Sequence, residues 1–359
     1  MLPTKAGRSA DPTGWRTPAG ADCDAISGAA GPRGAIRGTA ASAPDPRHAP
    51  VDGDTLCVQQ LTYTSIKIER QAADLHGDDV AKKLPTLADF QYSGALKKDG
   101  TKPFDLKDFD PAAKPFSSGD KVADKGATAA LALELDTLQD LFYADRRYKL
   151  LVVLQGTDTS GKDGTIRGVF GQMSALGVHA LGWKAPTEDE RAHDVLWRIH
   201  QRVPALGEVM IFNRSHYEDV LVPVVNGGIT PAQTRQRYGH INDFERMLVE
   251  TGTVVLKFLL HISKDEQRAR LQERLDDPNK HWKFAAGDLE VRKQWDAYQH
   301  AYNDALAATG TPWAPWTIVP SDSKIHRNLM IATVVKQAFL GLQLRYPPGD
   351  PVLNSIKVI

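Results

Sequence analysis

The stretch LLVVLQGTDTSGKDGTIRGVF, Leu150–Phe170, decides the fold of this chain. An apolar run of strand length ends at a glycine-rich loop, and a segment typical of a helix follows. In a strand–loop–helix unit the glycines let backbone N–H groups turn inward, and the helix N-terminus adds positive potential. The pattern therefore predicts a phosphate-binding loop at the carboxyl end of a buried parallel strand.

The loop departs from the nucleotide-binding pattern G-x-x-x-x-G-K-[ST] at its last place. Gly156 and Gly161-Lys162 fit, but Asp163 stands where a hydroxyl would hold magnesium, and Asp158 adds a second carboxylate. Two carboxylates beside bound phosphates would repel them unless divalent cations lie between, and magnesium accepts carboxylate ligands. We expect Lys162 to contact phosphates, and Asp158 and Asp163 to hold Mg²⁺ or Mn²⁺. The alternative is a loop that has lost its nucleotide role and keeps two surface aspartates.

Strands and helices alternate after this loop. Further strands are predicted at 177–183, 207–213, 253–262 and 314–320, and helices at 127–147, 186–203, 231–252, 263–275 and 324–344. Ser263 is a good N-cap for the fourth of these helices. The alternation predicts a three-layer α/β fold, in which a parallel sheet of about five strands is covered by helices on both faces.

The chain divides by composition. Residues 1 to about 55 contain few large aliphatic side chains, and we expect a disordered tail there. Residues 56–125 are mixed in composition, polar and rich in turn residues, and we expect an extended arm over the main domain there. The regular pattern then occupies residues 126–346, and 347–359 forms a C-terminal tail.

Charge and cysteine content exclude several classes of protein. Lys plus Arg equals Asp plus Glu at 44 each among 359 residues, so a phosphate site must be local, and nucleic-acid binding is not expected. With only Cys23 and Cys57 the chain has no disulfide framework and no cysteine-based zinc site. The longest apolar run, Val254–Ile262, contains Lys257 and His261 and falls short of a membrane span. We expect a cytoplasmic protein without a membrane partner.

A second polar cluster follows the predicted strand in EVMIFNRSHYEDVLV, Glu208–Val222. The exit of this strand should lie beside the phosphate loop, at the carboxyl edge of the sheet. Arg214 would there stabilise charge on a transferring phosphoryl group, because its planar guanidinium donates several hydrogen bonds. Tyr217, Glu218 and Asp219 crowd the same edge. The alternative is a helix cap followed by a solvated face.

A third, basic segment is SKDEQRARLQERLDDPNKHWKF, Ser263–Phe284. Arg270 and Arg274 lie four residues apart on one helical face, with Arg268 adjacent, and Lys280 and Lys283 follow. Such residues could belong to a mobile lid that closes over phosphates and excludes water. A solvated helix is an equally good interpretation, because acidic residues are interspersed.

Together these segments resemble the family 2 polyphosphate kinases, from about Phe90 to about Tyr346. The most specific parts are the G-x-D-x-x-G-K-D-G loop and N-R-S-H-Y-E-D. The sequence is most similar to the branch of the family called class III. The resemblance implies a thymidylate-kinase-like P-loop kinase fold with a helical lid at about 264–293. It also implies inorganic polyphosphate as phosphoryl donor and AMP and/or ADP as acceptor. A homo-oligomer is expected, because sheets of this kind commonly associate through their helices.

The resemblance carries over Asp158 as a magnesium ligand, Lys162 as a phosphate contact and Arg214 as the basic residue of the second motif, with Arg270 and Arg274 as lid arginines. The other roles that follow come from the residue patterns described above. Asp158, Lys162 and Arg214 would be catalytic, with Asp158 and Asp163 as metal ligands. Phosphate would be bound by loop residues (Gly156, Ser160, Gly161, Gly164 and Thr165) and by basic residues of the lid (Arg268, Arg270, Arg274, Lys280 and Lys283). The nucleotide side would comprise Asn213, Tyr217, Glu218 and Asp219.

Asn213 departs from other branches of the family, which place Asp before Arg-Ser. Removal of a negative charge beside the acceptor phosphates should ease entry of a diphosphate. Thr159-Ser160 replaces the more usual Ala or Gly, and small hydroxyl residues should still fit the loop. Two other functions stay open: an ATP-dependent nucleotide kinase on the same fold, and a non-catalytic polyphosphate sensor. No general base is assigned, because a nucleotide phosphate oxygen is already ionised at neutral pH.

Overall fold

A six-stranded sheet forms the centre of the computed structural model, which describes residues 87–94 and 104–358. Its strands are β1 (Gln91–Tyr92), β2 (Lys149–Gln155), β3 (Val178–Gly182), β4 (Val209–Asn213), β5 (Thr253–His261) and β6 (Trp316–Pro320). Their order is β1-β6-β5-β2-β4-β3. Strands β2 to β6 are parallel, and β1 pairs antiparallel with β6 at one edge. The five predicted strands and the α/β class are confirmed, whereas β1 was not predicted.

The helices are α1 (Lys121–Asp145), α2 (Lys162–Thr165), α3 (Glu188–Ala192), α4 (Trp197–His200), α5 (Glu218–Val225), α6 (Pro231–Glu250), α7 (Lys264–Asp276), α8 (Ala286–Lys293), α9 (Trp295–Thr309) and α10 (Lys324–Gly341). As predicted, Ser263 caps α7 by accepting a hydrogen bond from the Glu266 amide at 3.0 Å. The single helix predicted at 186–203 is wrong. Extended backbone at His193 ends α3, so the segment forms two short helices.

Strand β2 is buried on both faces, which explains its uninterrupted apolar sequence. Leu150, Val152 and Leu154 pack in one cluster with side chains from α1 and α10, such as Phe142 and Phe339. The intervening residues of β2 pack on the opposite face against α5, α6 and α9. The sheet is therefore the middle of three layers, as the sequence predicted.

The register of the sheet brings four strand exits to one edge. Leu154 pairs with Asn213 of β4, and Gln155 pairs with Leu259 of β5. His261 of β5 pairs in turn with Pro320 of β6. The loops that follow these strands therefore meet at the carboxyl edge of the sheet, where ligands of open α/β folds bind.

The predicted tail, residues 1–55, lies outside the described residues, as do 56–86 and 95–103 of the arm. The predicted domain boundaries therefore remain predictions. The basic segment forms α7, a 3-10 helix at Pro278–Lys283 and α8. In the part of the chain that the structure describes, no helix has the length and apolar character needed to cross a bilayer.

His326 near the start of α10 couples stability to pH. Its Nε2 accepts a hydrogen bond from the Phe116 amide at 3.1 Å, which requires the neutral ring. Burial lowers the pKa of His326 to about 4, against smaller opposing effects of Pro320 and Asp124. The unfolded chain binds the proton first, so protonation favours unfolding. The free energy of unfolding should therefore fall as the pH decreases from about 6.5 towards about 4.

His326→Gln keeps an acceptor for the Phe116 amide but cannot titrate. We expect urea unfolding of this variant to lose less stability than the parent between about pH 6.5 and about pH 4.5. His240→Gln, which changes an exposed histidine of α6, serves as the control and should keep the parent's pH dependence. Identical slopes for the parent and His326→Gln would contradict the assignment.

Candidate active site

The phosphate loop takes a conformation that requires glycine at two places. Gly156 and Gly161 have φ of 145° and 107°, in the region that disfavours side chains. At Gly161 a Cβ atom would also lie 1.8 Å from a guanidinium nitrogen of Arg327. The side chain of Arg327 can therefore lie this close to the loop only because position 161 carries no side chain.

Lys162 points into the loop from the first turn of α2. Its Nζ donates to the carbonyl oxygens of Gly156 at 2.7 Å and Thr157 at 3.2 Å, and the side chain is buried. Burial and the charge of Arg214 lower the pKa of Lys162 to about 8, while nearby carboxylates oppose the shift. The ammonium therefore stays mostly protonated at neutral pH and provides a positive charge where phosphates would lie.

Arg214 joins the second sequence motif to the phosphate loop. Its guanidinium pairs with Asp158 at 2.5 Å and with Glu218 at 3.0 Å. Burial would lower the pKa of Arg214, but the carboxylates of Glu218 and Asp158 outweigh that effect and raise it. The neighbouring Asn213 donates from Nδ2 to Asp163 at 2.6 Å. The two loop carboxylates are thus both held by residues at the exit of β4, as the sequence order of the motifs implied.

A pocket of about 490 Å³ opens over the loop. Of its described lining residues nine are basic and three are acidic: Lys162, Lys184, Arg214, Arg270, Arg274, Lys280, Lys283, Lys324 and Arg327 against Asp158, Asp163 and Glu273. The basic residues thus exceed the acidic ones by six in a chain whose formal net charge is zero. Such an excess focuses a positive potential that attracts polyanions.

Arg270 of α7 contacts the phosphate loop directly. Arg270 is buried and donates to the carbonyl oxygens of Thr159 and Ser160 in the loop, and of Ser321 and Asp322 after β6. Its Nε also pairs with Glu266 at 2.7 Å. Arg270 therefore fixes the loop backbone as well as lining the pocket. Its predicted contact with phosphate remains a prediction.

The other basic residues of the third segment are placed unequally. Arg274 donates to the Lys283 carbonyl at 2.8 Å and approaches Asp288 at 3.3 Å. Lys280 pairs with Glu273 at 2.8 Å, and Lys283 lies over the Trp282 ring. These three line the pocket. In contrast, Arg268 is exposed beside Asp265 and is not among the lining residues, so the structure does not bring it to the site.

The residues predicted for the nucleotide side do not all lie at the pocket. Asn213 lines the pocket, and Glu218 supports Arg214. Tyr217 is instead buried in the core, where its hydroxyl donates to Glu245 at 2.9 Å, so its predicted placement at the pocket is corrected. Asp219 forms a two-point ion pair with Arg198 at 2.9 and 3.1 Å and does not line the pocket either. The helical turn after Ser215 directs these two side chains away from the loop.

The remaining loop residues differ in their placement, and their predicted contact with phosphate stays a prediction. Ser160 and Thr165 are buried, and Gly164 lines the pocket. The Ser160 carbonyl accepts from Arg270 at 3.1 Å and from Arg327 at 3.2 Å. This sharing fixes the middle of the loop from two helices.

Sequence reasoning missed Lys184, Lys324 and Arg327 of the pocket. Lys184 comes two residues after β3, and the other two lie at the start of α10, after β6. Their positions after predicted strands were the available signal, because strand exits of a parallel sheet share an edge. Burial and the neighbouring Arg270 lower the pKa of Arg327 to about 9.

The donor set fits a metal that substrate phosphates help to hold. Among residues 87–94 and 104–358 no three His, Cys, Asp or Glu side chains gather as a metal cage. Asp158 and Asp163 both line the pocket. Magnesium is commonly bound by one or two carboxylates, with phosphate oxygens and water completing its shell. Two carboxylates facing a phosphate pocket satisfy that requirement.

Comparisons with known proteins identify a family for this chain. Residues 118–343 match the family model described as polyphosphate kinase 2. An AMP/ADP-polyphosphate phosphotransferase of Meiothermus ruber is 49% identical over 255 residues, 71% of this chain and 96% of the relative. An ADP-polyphosphate phosphotransferase of Rhodopseudomonas palustris is 38% identical, over 60% of this chain and 79% of that protein.

A solved structure has the same fold as this chain. A crystal structure of polyphosphate kinase 2 from Arthrobacter aurescens TC1 superimposes with a TM-score of 0.71 and 40% identity, and covers 76% of this chain and 96% of that one. Assignment to class III stays a prediction. The family model spans more than half of the chain, and its match includes the phosphate loop, the Arg214 motif and the basic segment. This chain therefore belongs to the polyphosphate kinase 2 family.

Proposed function

We propose that this protein transfers a phosphoryl group reversibly from inorganic polyphosphate to AMP and/or ADP. The observation that carries the proposal is the excess of six basic residues around the pocket over the phosphate loop. A polyanion of repeated phosphates complements such a surface. The relatives' names, AMP/ADP- and ADP-polyphosphate phosphotransferase, support the same substrates.

The lining residues favour polyphosphate over ATP as donor. On the side of β5 and β6 the pocket presents basic residues of α7, of the 3-10 helix and of α10, such as Arg274, Lys280 and Lys324. Of the described lining residues Trp183 alone is aromatic, and it follows β3, on the other side of β2 in the strand order. A donor without a base needs basic side chains and a groove, which this side supplies.

The chemistry is an in-line displacement. An oxygen of the acceptor nucleotide's terminal phosphate attacks the terminal phosphorus of the polyphosphate, and the P–O bond to the next phosphate breaks. Lys162 and Arg214 lie at the loop and stabilise the negative charge on the transferring group and the departing chain. Mg²⁺ or Mn²⁺, held by Asp158 and Asp163, would neutralise charge between these carboxylates and the phosphates.

The direct test is a donor and acceptor assay. Purified protein with Mg²⁺ and polyphosphate should convert AMP to ADP, or ADP to ATP, as followed by chromatography of the nucleotides. Parallel reactions should omit polyphosphate, replace it with ATP, or contain EDTA. Product formation with ATP as sole donor and none with polyphosphate would instead establish an ATP-dependent kinase. The absence of any product with either donor would favour a polyphosphate sensor.

The phosphate loop provides a second prediction. Asp158→Asn and Lys162→Ala should each lower kcat by about 100-fold or more, because Lys162 offsets the charge of the transferring phosphates and Asp158 would hold the metal ion that also does so. Circular dichroism and thermal unfolding should show a retained fold. The matched controls are Asp243→Asn on the exposed face of α6 and Lys336→Ala on α10, whose partner is Glu134. Both controls should keep nearly the parent rate, and near-parent rates for the loop variants would refute the assigned roles.

Asn213 provides a third prediction, about acceptor choice. In Asn213→Asp a carboxylate would replace the amide that donates to Asp163 at 2.6 Å. The added negative charge should repel the more highly charged acceptor more strongly. We expect kcat/KM for ADP to fall about 10-fold further than kcat/KM for AMP. Asn242→Asp, at a distant position on α6, is the control and should leave the ratio unchanged. An equal fall for both acceptors would contradict a role in selection.

A further inference from the structure

A cluster of polar side chains lies buried behind the phosphate loop and is not used by the proposed chemistry. It consists of His216, Tyr217, Glu245, Lys257 and Thr309, and we call it the buried charge cluster. The side chains of His216, Glu245 and Lys257 have no exposed surface, and Tyr217 is 1% exposed. Burial of a charged pair is costly unless every donor and acceptor is satisfied, so such a cluster requires an explanation.

The hydrogen bonds of the buried charge cluster are nearly complete. Lys257 Nζ donates to Glu245 at 2.6 Å, to the Thr309 carbonyl at 2.7 Å and to the Tyr217 hydroxyl at 3.0 Å. Glu245 also accepts from Tyr217 at 2.9 Å and contacts His216 Nε2 at 3.2 Å. All three protons of the ammonium are thus used. Among the described residues only the Nδ1 atom of His216 in this network has no partner, and a buried network so nearly satisfied has a rigid geometry.

The cluster lies next to a strained residue of the active site. Arg214 has φ of 65°, in the left-handed region that residues other than glycine seldom occupy. Such a conformation persists when the surrounding structure fixes the backbone on both sides. On one side β4 pairs with β2, and the Arg214 amide donates to the Leu154 carbonyl at 3.0 Å. On the other side the next residues are Ser215, His216 and Tyr217.

The backbone of Ser215, His216 and Tyr217 is held in place mainly by hydrogen bonds of their side chains. Ser215 is buried and bonds to Gln155, the last residue of β2. His216 and Tyr217 are held by Glu245 of α6 and, through it, by Lys257 of β5. Lys257 lies opposite Val153, three residues before the loop begins. The cluster therefore ties the chain just after Arg214 to β5, which pairs with the strand that carries the phosphate loop.

We propose that the buried charge cluster is a positioning device that holds Arg214 in its left-handed conformation, facing Asp158 across the phosphate loop. Tyr217, Glu245 and Lys257 are positioning residues, since they act through Arg214 and do not line the pocket. The inference rests on the proposed function, in which Arg214 stabilises the transferring phosphoryl group. It also explains why Tyr217, adjacent to the pocket in sequence, points into the core.

A double-mutant cycle tests this inference. Tyr217→Phe keeps the ring and removes the hydroxyl that links Glu245 and Lys257. We expect kcat to fall about 10-fold, while KM for polyphosphate and nucleotide stays within about twofold. In an Arg214→Met background the same change should lower kcat no further, because the residue that it positions is gone. A role confined to stability would instead produce the same fractional loss in both backgrounds.

The control is Tyr92→Phe, which removes a hydroxyl that donates to the Ala307 carbonyl outside the cluster. It should leave kcat unchanged in both backgrounds. If Tyr217→Phe does not fold, His216→Phe keeps an aromatic ring, removes a different bond to Glu245 and enters the same cycle. Unchanged kcat in folded Tyr217→Phe, or equal losses in both backgrounds, would overturn the positioning role.

The cycle also separates this inference from the proposed function. If Arg214→Met is as active as the parent, Arg214 has no catalytic role, and the positioning inference is refuted with it. If the parent uses ATP and not polyphosphate, the proposed donor is wrong. The same cycle with ATP as donor then still decides whether the cluster acts through Arg214.

Discussion

Mutual repulsion among basic side chains is the constraint on which this structure depends. Nine of them surround one pocket, whose lining includes three carboxylates, and further carboxylates outside the lining pair with some of the nine: Glu218, Glu266, Asp277 and Asp288. The backbone adds to this compensation, because Arg270 and Arg327 donate to carbonyl oxygens of the phosphate loop. The same bonds that reduce the repulsion also shape the loop. Binding of anionic substrate would supply the missing negative charge, so the site is electrostatically incomplete without it.

Much of the fold could be predicted because burial leaves a clear pattern. The strand before the phosphate loop is apolar throughout, since helices cover both faces of the sheet, and the loop's glycines and lysine follow directly from phosphate geometry. The prediction of a single helix at 186–203 is wrong because the helical sequence pattern continues across His193, where the backbone becomes extended. The local signal for that break is Asp194, whose carboxylate accepts a hydrogen bond from the Leu196 amide at 2.9 Å. In the second short helix Arg198 packs against Trp183 and pairs with Asp219.

The candidate site was predicted less completely, and the reasons are geometric. Arg270 and Arg274 share a helical face, yet one fixes the loop backbone and the other bonds within the basic segment. Spacing gives the face of a helix but not the identity of what it meets. Tyr217 shows a related limit, because one turn of helix after Ser215 decides whether a side chain enters the pocket or the core. Lys184 and Arg327 join the site only through the sheet topology, which brings distant strand exits together.

The contact between Gly161 and Arg327 has a consequence for how the protein is made. Arg327 reaches the Ser160 carbonyl across 167 positions of sequence, and its guanidinium occupies the space that a side chain at position 161 would fill. A ribosome therefore completes the strand and loop long before it delivers the helix that braces them. We expect the loop to acquire its final shape as one of the last events of folding, once α10 has docked on the sheet. The ability to bind phosphate would then report that synthesis of the whole domain is finished.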